Sequence, residues 1–240
     1  MSENAGERYH RAGLEAIEKK DPKNAFALFL QGAKAGDADC QFWVGSFYNR
    51  GMVVRKDERS ALMWFRKAAK QGHVGSMNEV GILYSGSSTE VQHNPKLAYE
   101  YISKAALTGN TGAVYNLAMF LESGTGCEKD YAKAAALYGL ARNAGSQAAS
   151  YALARMYRFG LGVEQSSEIC FDYLKEAADA GLREACFDLA LMYRDGEGCR
   201  RDLGEAMRYI DISVEKRLPQ ALPVKRDLQK LIDEEQGKSR

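Results

Sequence analysis

Small and large apolar residues recur along this chain with a period of about 36 residues. A glycine after an Ala-rich stretch marks each unit, at Gly36, Gly72, Gly109, Gly145 and Gly181. Eight and nine residues after each mark come an aliphatic residue and a glycine or alanine: Val44 and Gly45, Val80 and Gly81, Leu117 and Ala118, Leu153 and Ala154, Leu189 and Ala190. With a small residue at offset four and usually Tyr at twelve, these positions share one face of an α-helix. Each unit therefore begins with a helix that a neighbour can approach closely.

A second helix completes each unit. Between the two helices, three units carry a glycine pair: Gly124 and Gly126, Gly160 and Gly162, Gly196 and Gly198. Glycine at a helix end supplies the left-handed conformation that stops the helix. Eleven residues before each mark, the second helix has a small residue for close packing: Ala25, Ala61, Ala98, Ala134 and Cys170. Because a single helical hairpin cannot bury its apolar face, stacking of the units is expected, which predicts an all-α solenoid.

The ends of the chain depart from the repeat. Residues 1–21 are predicted to form an N-terminal capping helix, residues 22–217 the repeats, and residues 218–240 a C-terminal capping helix and tail. The last segment begins like a further unit, with Ala221 four residues after Arg217, and then becomes highly charged. A charged outer face is what the terminal unit of a stacked array requires.

The repeating pattern A-x3-L-[GA]-x2-Y-x2-G-x-G, followed by a small residue, an aromatic residue and K-A-A-x-x-G, resembles the Sel1-like repeat family. The residues that carry this resemblance are Ala149, Leu153, Ala154, Tyr157, Gly160, Gly162, Ala61, Trp64, Ala68, Ala69 and Gly72. That family is a branch of the tetratricopeptide-like (TPR-like) helical repeats. The resemblance implies a right-handed α/α superhelical solenoid of about five helix–turn–helix repeats plus capping helices. It also implies a role as an adaptor, since family members act chiefly in varied protein complexes.

Composition and charge narrow the function classes. Of 240 residues, 45% are hydrophobic, and 33 Lys and Arg balance 32 Asp and Glu. A net charge of +1 does not favour nucleic acid or an anionic membrane as partner. The N-terminal segment is charged without an apolar stretch after it, and the five cysteines contain no C-x-x-C pair. These features predict a cytoplasmic protein with reduced thiols.

Candidate chemistry is sparse. His10, His73 and His93 have no second ligand at helical spacing, so no metal site is predicted, and no cofactor is expected. The glycine pairs end helices and recur with the repeat, whereas a phosphate-binding loop needs a preceding strand. Cys127 and Cys199 occupy equivalent loop positions and are interpreted as half-buried turn residues. A cysteine-rich branch of the family has paired cysteines and a β-lactamase-like activity, but this chain lacks those pairs.

In TPR-like solenoids, the first helix of each repeat lines the concave face. By that resemblance, offsets 6, 10 and 13 from each mark point towards a bound partner. The side chains predicted to bind a partner are Phe42, Asn49, Asn78, Ile82, Tyr115, Met119, Glu122, Tyr151, Arg155, Arg158, Phe187, Leu191 and Arg194. The aromatic residues at offset 6 also fit a role in packing between first helices. Asn78 interrupts that aromatic series.

The arginines among these residues suggest the chemistry of the partner. Arg155, Arg158 and Arg194, near Tyr151, form a basic and aromatic patch that suits a carboxylate, so an acidic or C-terminal peptide segment is the predicted ligand. The alternative is that each arginine pairs with Glu122, Asp188 or Asp195.

The predicted function is that of a non-catalytic adaptor or scaffold that binds another protein. One form of this role is an immunity or regulatory protein for a bacterial effector. The alternative is a hydrolase acting on cell-wall-like substrates, as in the cysteine-rich branch. Residues 86–95, where the loop is longer and lacks the second glycine, are either a binding edge or a tolerated surface insertion.

Overall fold

The computed structural model describes residues 4–238, with the side chain of Lys238 excepted, and this part of the chain is all-α. Residues 1–3 and 239–240 of the predicted capping segments lie outside it. The helices are α1 (Ala5–Glu18), α2 (Pro22–Lys34), α3 (Ala38–Arg50), α4 (Glu58–Lys70), α5 (Val74–Ile82), α6 (Pro95–Ala106), α7 (Thr111–Ser123), α8 (Tyr131–Asn143), α9 (Gln147–Phe159), α10 (Ser167–Asp179), α11 (Arg183–Asp195), α12 (Leu203–Glu215) and α13 (Ala221–Lys238). A π-helical turn, Leu83–Ser87, follows α5 directly.

Short polar side chains start most of these helices. The residue before the helix accepts a hydrogen bond from a backbone N–H of the first turn, as Asp37 does from the amide of Cys40 at 2.7 Å. Asp57, Asn110, Asp130 and Ser146 act in the same way. Such caps satisfy amides that the helix itself leaves unpaired. Leu182, before α11, has no side chain that can do this.

The glycines that mark the units end helices as predicted. All five have positive φ, from +80° at Gly109 to +98° at Gly36, in the region where an L-residue is strained. At the equivalent position after α12 stands Arg217, which adopts φ +58° despite its side chain.

The helices form two compact units, residues up to Lys129 and residues from Asp130 onward. In the first unit, successive helices pack against one another from α1 to α7, and in the second unit they do so from α8 to α13. The core of unit 1 includes Phe29, Phe47 and Phe65, all fully buried. The core of unit 2 includes Leu189 and Ile210.

Small residues allow this close packing. Ala25, Ala61, Ala98, Ala134 and Cys170, predicted as contact positions of the second helices, are each at most 1% exposed. At Gly45, an added Cβ would lie 2.7 Å from the ring of Phe65, which is too close for a larger residue. The predicted all-α repeat fold is thus confirmed, and in the described residues no helix is both long and apolar enough to cross a membrane.

Candidate functional site

In unit 2, helices α9, α10 and α11 surround a pocket of about 180 Å³. Tyr151, Arg155, Arg158 and Phe159 line it from α9, and Asp188 lines it from α11. Tyr151 and Arg155 lie one turn apart on α9, and Arg158 and Phe159 follow one turn later, so helical periodicity brings all four to one opening. Arg155 is exposed, and the ring of Phe159 is 62% exposed although it is large and apolar. The pocket can therefore offer a cation and an apolar surface to a ligand.

The half-buried carboxylate of Asp188 forms part of the pocket wall. The hydroxyl of Tyr151 donates a hydrogen bond to Oδ2 of Asp188 at 2.8 Å. Burial raises the pKa of Asp188 above its usual range, while Tyr151, Arg158 and Arg155 act against that shift. Burial, together with the neighbouring Asp188 charge, also raises the pKa of Tyr151, so this side chain stays a neutral donor.

Arg158 and Arg194 each pair with an acidic side chain. Nη2 of Arg158 lies 3.0 Å from Oε2 of Glu197. Arg194 donates two hydrogen bonds to Asp195, both at 2.7 Å, so the alternative pairing with Asp195 is found for this residue. Of the arginine patch, Arg155 and Arg158 share one pocket, whereas Arg194 does not line it.

The other two predicted side chains of unit 2 are half-buried. Phe187 packs against the buried core of unit 2 and is half-buried. Leu191 is also half-buried, on the same helix. Tyr151 too packs against that core with its ring, while its hydroxyl reaches Asp188.

In unit 1, Phe42 fills the space between neighbouring first helices. Its ring centroid lies 4.8 Å from that of His73 and 5.8 Å from that of Phe65. His73 accepts a hydrogen bond from the amide of Ser76 at the start of α5, and its Nε2 lies 3.3 Å from Asp39. Phe42 therefore has the packing role that was the alternative for the aromatic residues at offset 6.

Asn78, the residue that interrupts the aromatic series, has a defined partner. Nδ2 of Asn116 donates a hydrogen bond to Oδ1 of Asn78 at 2.9 Å. This bond links the first helices α5 and α7, where the other repeats have aromatic side chains. The asparagine therefore helps to align these two helices.

The remaining predicted residues of unit 1 differ in exposure. Asn49, Ile82, Tyr115 and Glu122 are half-buried, and Met119 is 43% exposed. The carbonyl of Ile82 also accepts hydrogen bonds from Ser85 and Ser87 that hold the π-helical turn.

The longer loop, residues 86–95, folds back onto the start of α4. Ser88 donates a hydrogen bond from Oγ to Oε2 of Glu58, and Glu90 accepts one from the backbone N–H of Glu58 at 2.9 Å. Arg59 donates from Nε to the carbonyl of Glu90 at 3.0 Å. Val91 is buried. The insertion is thus docked against unit 1 by specific bonds.

The cysteines and histidines do not assemble into a reactive centre. All five cysteines are free, and Cys127 and Cys199 are half-buried with Sγ 3.5 and 3.7 Å from the carbonyls of Phe120 and Met192. Burial raises the pKa of both thiols. Within residues 4–238, no cluster of three or more His, Cys, Asp or Glu side chains could hold a metal ion.

Two features of the pocket were not predicted. Glu197 stands between Gly196 and Gly198, and its pairing with Arg158 joins residues 39 positions apart, which the repeat phase alone did not indicate. Phe159 is the last residue of α9 and falls outside the offsets considered. The sequence signal for Glu197 is local: it is the one charged residue found between the glycines of a pair.

Comparison with known proteins agrees with this architecture. The Sel1 repeat pattern matches six segments: residues 4–37, 38–73, 74–110, 111–146, 147–182 and 183–215. The first of these contains α1, the helix predicted as a cap, together with α2. The matches therefore cover most of the chain.

Solved structures and curated relatives show the same likeness. A Sel1 repeat protein from Oxalobacter formigenes is 24% identical, with a TM-score of 0.81, covering 90% of this chain and 86% of that one. A protective antigen of uropathogenic Escherichia coli with the same repeat fold is 26% identical, also with a TM-score of 0.81, covering 88% of this chain and 45% of that one.

Chitin synthase regulatory factor 1 of Schizosaccharomyces pombe is 31% identical over 119 residues. The match takes in 49% of this chain and 26% of that relative, so it concerns a minor part of the relative's length. Together with the six matched segments and the helix pairs that they contain, this likeness settles the family. The chain belongs to the Sel1 repeat family.

Proposed function

We propose that this chain is a non-catalytic adaptor that binds another protein, and that the pocket of unit 2 receives an acidic or C-terminal segment of that partner. The observation that carries the proposal is the opening formed by Arg155, Arg158 and Phe159 above Tyr151 and Asp188. A cation at the rim suits a carboxylate, and the exposed ring suits an apolar neighbour in the same peptide. The name of the S. pombe relative, a regulatory factor, agrees with such a role.

The dimensions favour one terminal residue over an extended segment. A cavity of about 180 Å³ admits a carboxylate and a small side chain, and it is well below the size of pockets that hold drug-sized ligands. Arg155 lines the pocket and is exposed to solvent, so it is assigned the leading role in binding. Whether the adaptor acts as an immunity protein or in another regulatory role depends on which partner it binds.

The test uses short fluorescent peptides that end in Glu, with either a free or an amidated C-terminus. We expect the free carboxylate to bind better, and Arg155→Glu to weaken that binding about tenfold or more, because attraction becomes repulsion. Arg226→Glu, an equal charge change at an exposed residue of α13, is the matched control. Unchanged binding to the Arg155→Glu variant, with an unchanged circular-dichroism melt, would contradict the proposal.

The pH dependence of peptide binding provides a second test. Since burial raises the pKa of Asp188, this carboxyl takes up a proton earlier than an exposed Asp as the pH falls. Loss of that negative charge leaves the pocket more positive, so peptide affinity should increase from pH 7 to about pH 5 while the peptide carboxylate stays ionised. Asp188→Asn should remove this increase. An equal pH dependence in that variant would exclude Asp188 as its source.

A further inference from the structure

A cluster of basic side chains lies on the exposed face of α4, apart from the residues predicted to bind a partner. Arg59, Arg66, Lys67 and Lys70, with Leu62 and Met63, line a depression of about 370 Å³. We call these six residues the α4 surface. They follow one another at spacings of three and four along the helix, so one face of α4 carries them all.

The charges of the α4 surface are not neutralised within unit 1. Arg66 and Lys70 are exposed and form no ion pair with any residue from 4 to 238. Lys67 lies over the ring of Trp64 at 4.2 Å and has no carboxylate partner among the same residues. The one acidic residue on the helix, Glu58, is buried and bonded to Lys56. The surface therefore has a net positive charge exposed to solvent.

The second helices of unit 2 differ in this respect. Arg142 on α8 is bonded to Glu176 on α10 at 2.6 Å. On α12, Arg208 pairs with Glu205 at 2.8 Å. Helix α10 has four carboxylates and only one cation, Lys175, which pairs with Asp179. Unlike α4, the second helices of unit 2 thus have these cations paired with carboxylates.

The centre of the depression is apolar. Met63 is 46% exposed, and Leu62 beside it is half-buried. Methionine adapts to ligands of different shape because its side chain is unbranched and polarisable. An apolar centre with a charged rim is the arrangement of a protein-binding surface.

The insertion at residues 86–95 holds one end of this surface. Arg59 is fixed by its bond to the carbonyl of Glu90, and the start of α4 is tied to Ser88 and Glu90 through Glu58. Side chains and backbone that are already ordered lose less entropy when a ligand binds. The insertion thus orders the N-terminal end of α4, including Arg59 of the α4 surface.

We infer that the α4 surface binds an acidic segment of a partner protein in which carboxylates flank one apolar side chain. The apolar side chain occupies the depression over Met63, and the carboxylates pair with Arg66, Lys67 and Lys70. The depression is concave and its aromatic neighbour Trp64 is only 9% exposed, which disfavours a flat membrane surface and base stacking by nucleic acid. This site is independent of the unit 2 pocket, since it needs no terminal carboxylate.

The probe for this site is a fluorescent peptide with blocked termini, in which Glu and Asp flank a central Leu. The double variant Arg66→Glu/Lys70→Glu should weaken its binding by about a hundredfold, roughly tenfold for each reversed charge. Met63→Ser, or a peptide with Ser in place of Leu, should weaken it several-fold. Arg8→Glu/Lys19→Glu makes the same change of charge at Arg8 on α1 and at Lys19 directly after it, where neither side chain has an ion pair among the described residues, and should have little effect.

Four results would overturn the inference. These are equal binding by the α4 double variant, equal binding of the Leu and Ser peptides, self-association of the wild type that this variant abolishes, and tighter variant-sensitive binding to phosphatidylserine vesicles or RNA than to the peptide. The third would make a second copy of the chain the occupant. Because all substituted residues are exposed or half-buried, a circular-dichroism melt confirms that each variant remains folded. Failure here with retained binding of the free-carboxylate peptide would leave the unit 2 proposal intact.

Discussion

Two loops at equivalent places in the repeat, residues 160–166 in unit 2 and residues 86–95 in unit 1, reach the preceding second helix by different means. In the first, Gly162 lies so close to the start of α8 that an added Cβ would overlap the backbone of Tyr131. In the second, Ser88 and Glu90 make hydrogen bonds to Glu58 at the start of α4. The same junction is secured by close backbone approach in the first loop and by polar and ionisable side chains in the second.

The difference has consequences for stability and for function. A contact through glycine tolerates no side chain but is insensitive to pH. A contact through carboxylates and hydroxyls tolerates a longer loop, responds to pH and positions a neighbouring cation, Arg59. The irregular loop therefore lies beside the α4 surface, whereas the regular loop serves the packing.

The largest expected effect is that of Gly162→Ala. The new Cβ would meet the backbone of Tyr131 and Ala132, and the residue would have to keep φ at +69°. A left-handed conformation costs about 1–2 kcal/mol and overpacking about 1–3 kcal/mol, so the free energy of unfolding should fall by about 3 kcal/mol. Urea unfolding followed by circular dichroism measures it.

Gly139→Ala is the matched control for that substitution. Gly139 lies inside α8, and a Cβ there would meet nothing within 4 Å. Alanine should stabilise this helix by about 0.5–1 kcal/mol. If Gly162→Ala left the free energy of unfolding unchanged or raised it, as Gly139→Ala should, the close approach of the loop would not be needed to hold α8.

The repeat was predictable from sequence because its signals are periodic. The unit marks, the alanines of the second helices and the buried face of each first helix recur in phase, and all occupy the predicted places. Among the candidate site residues, Tyr151, Arg155 and Arg158 line one pocket, whereas Arg194 of the same predicted patch does not. The partner of Arg158 was harder to predict from the sequence, because Glu197 reaches it from a loop of the next repeat.

The α4 surface was missed for a different reason. The resemblance to TPR-like solenoids predicts the first helices as the binding side, and the small residues of the second helices predict packing alone. Charge on α4 was visible in the sequence, but whether each cation has a partner depends on neighbouring helices and loops. That information is not periodic.

An intermediate effect is expected at the irregular loop. Glu58→Ala removes the acceptor of Ser88 and the partner of Lys56, and the free energy of unfolding should fall by about 1–2 kcal/mol. Glu100→Ala on α6 removes an exposed carboxylate without an ion pair among the described residues and should change stability little. Equal effects of the two substitutions would show that loop 86–95 is not held through Glu58.

The same variant has a distinct pH dependence. Bonds from Lys56 and Ser88 lower the pKa of Glu58 from its ordinary 4.5. A lowered pKa contributes stability that is present above pH 4.5 and is lost as the pH falls through the value in the folded protein. The difference in stability between wild type and Glu58→Ala should therefore shrink below about pH 4.5, and a constant difference would contradict the assignment.

The smallest expected effect, and one of opposite sign, is at the first loop of unit 1. Val53 occupies the place of the second glycine of a pair and adopts φ +68°, although it is β-branched and 45% exposed. Val53→Gly should release about 1–2 kcal/mol of backbone strain against roughly 0.5–1 kcal/mol of added chain entropy in the unfolded state. A net gain of about 0.5–1 kcal/mol would raise the midpoint of urea unfolding.

Val53→Ala removes the branched side chain but keeps the strained φ, so it should gain less. If alanine and glycine gained equally, the valine side chain and not its backbone conformation would be the source of the strain.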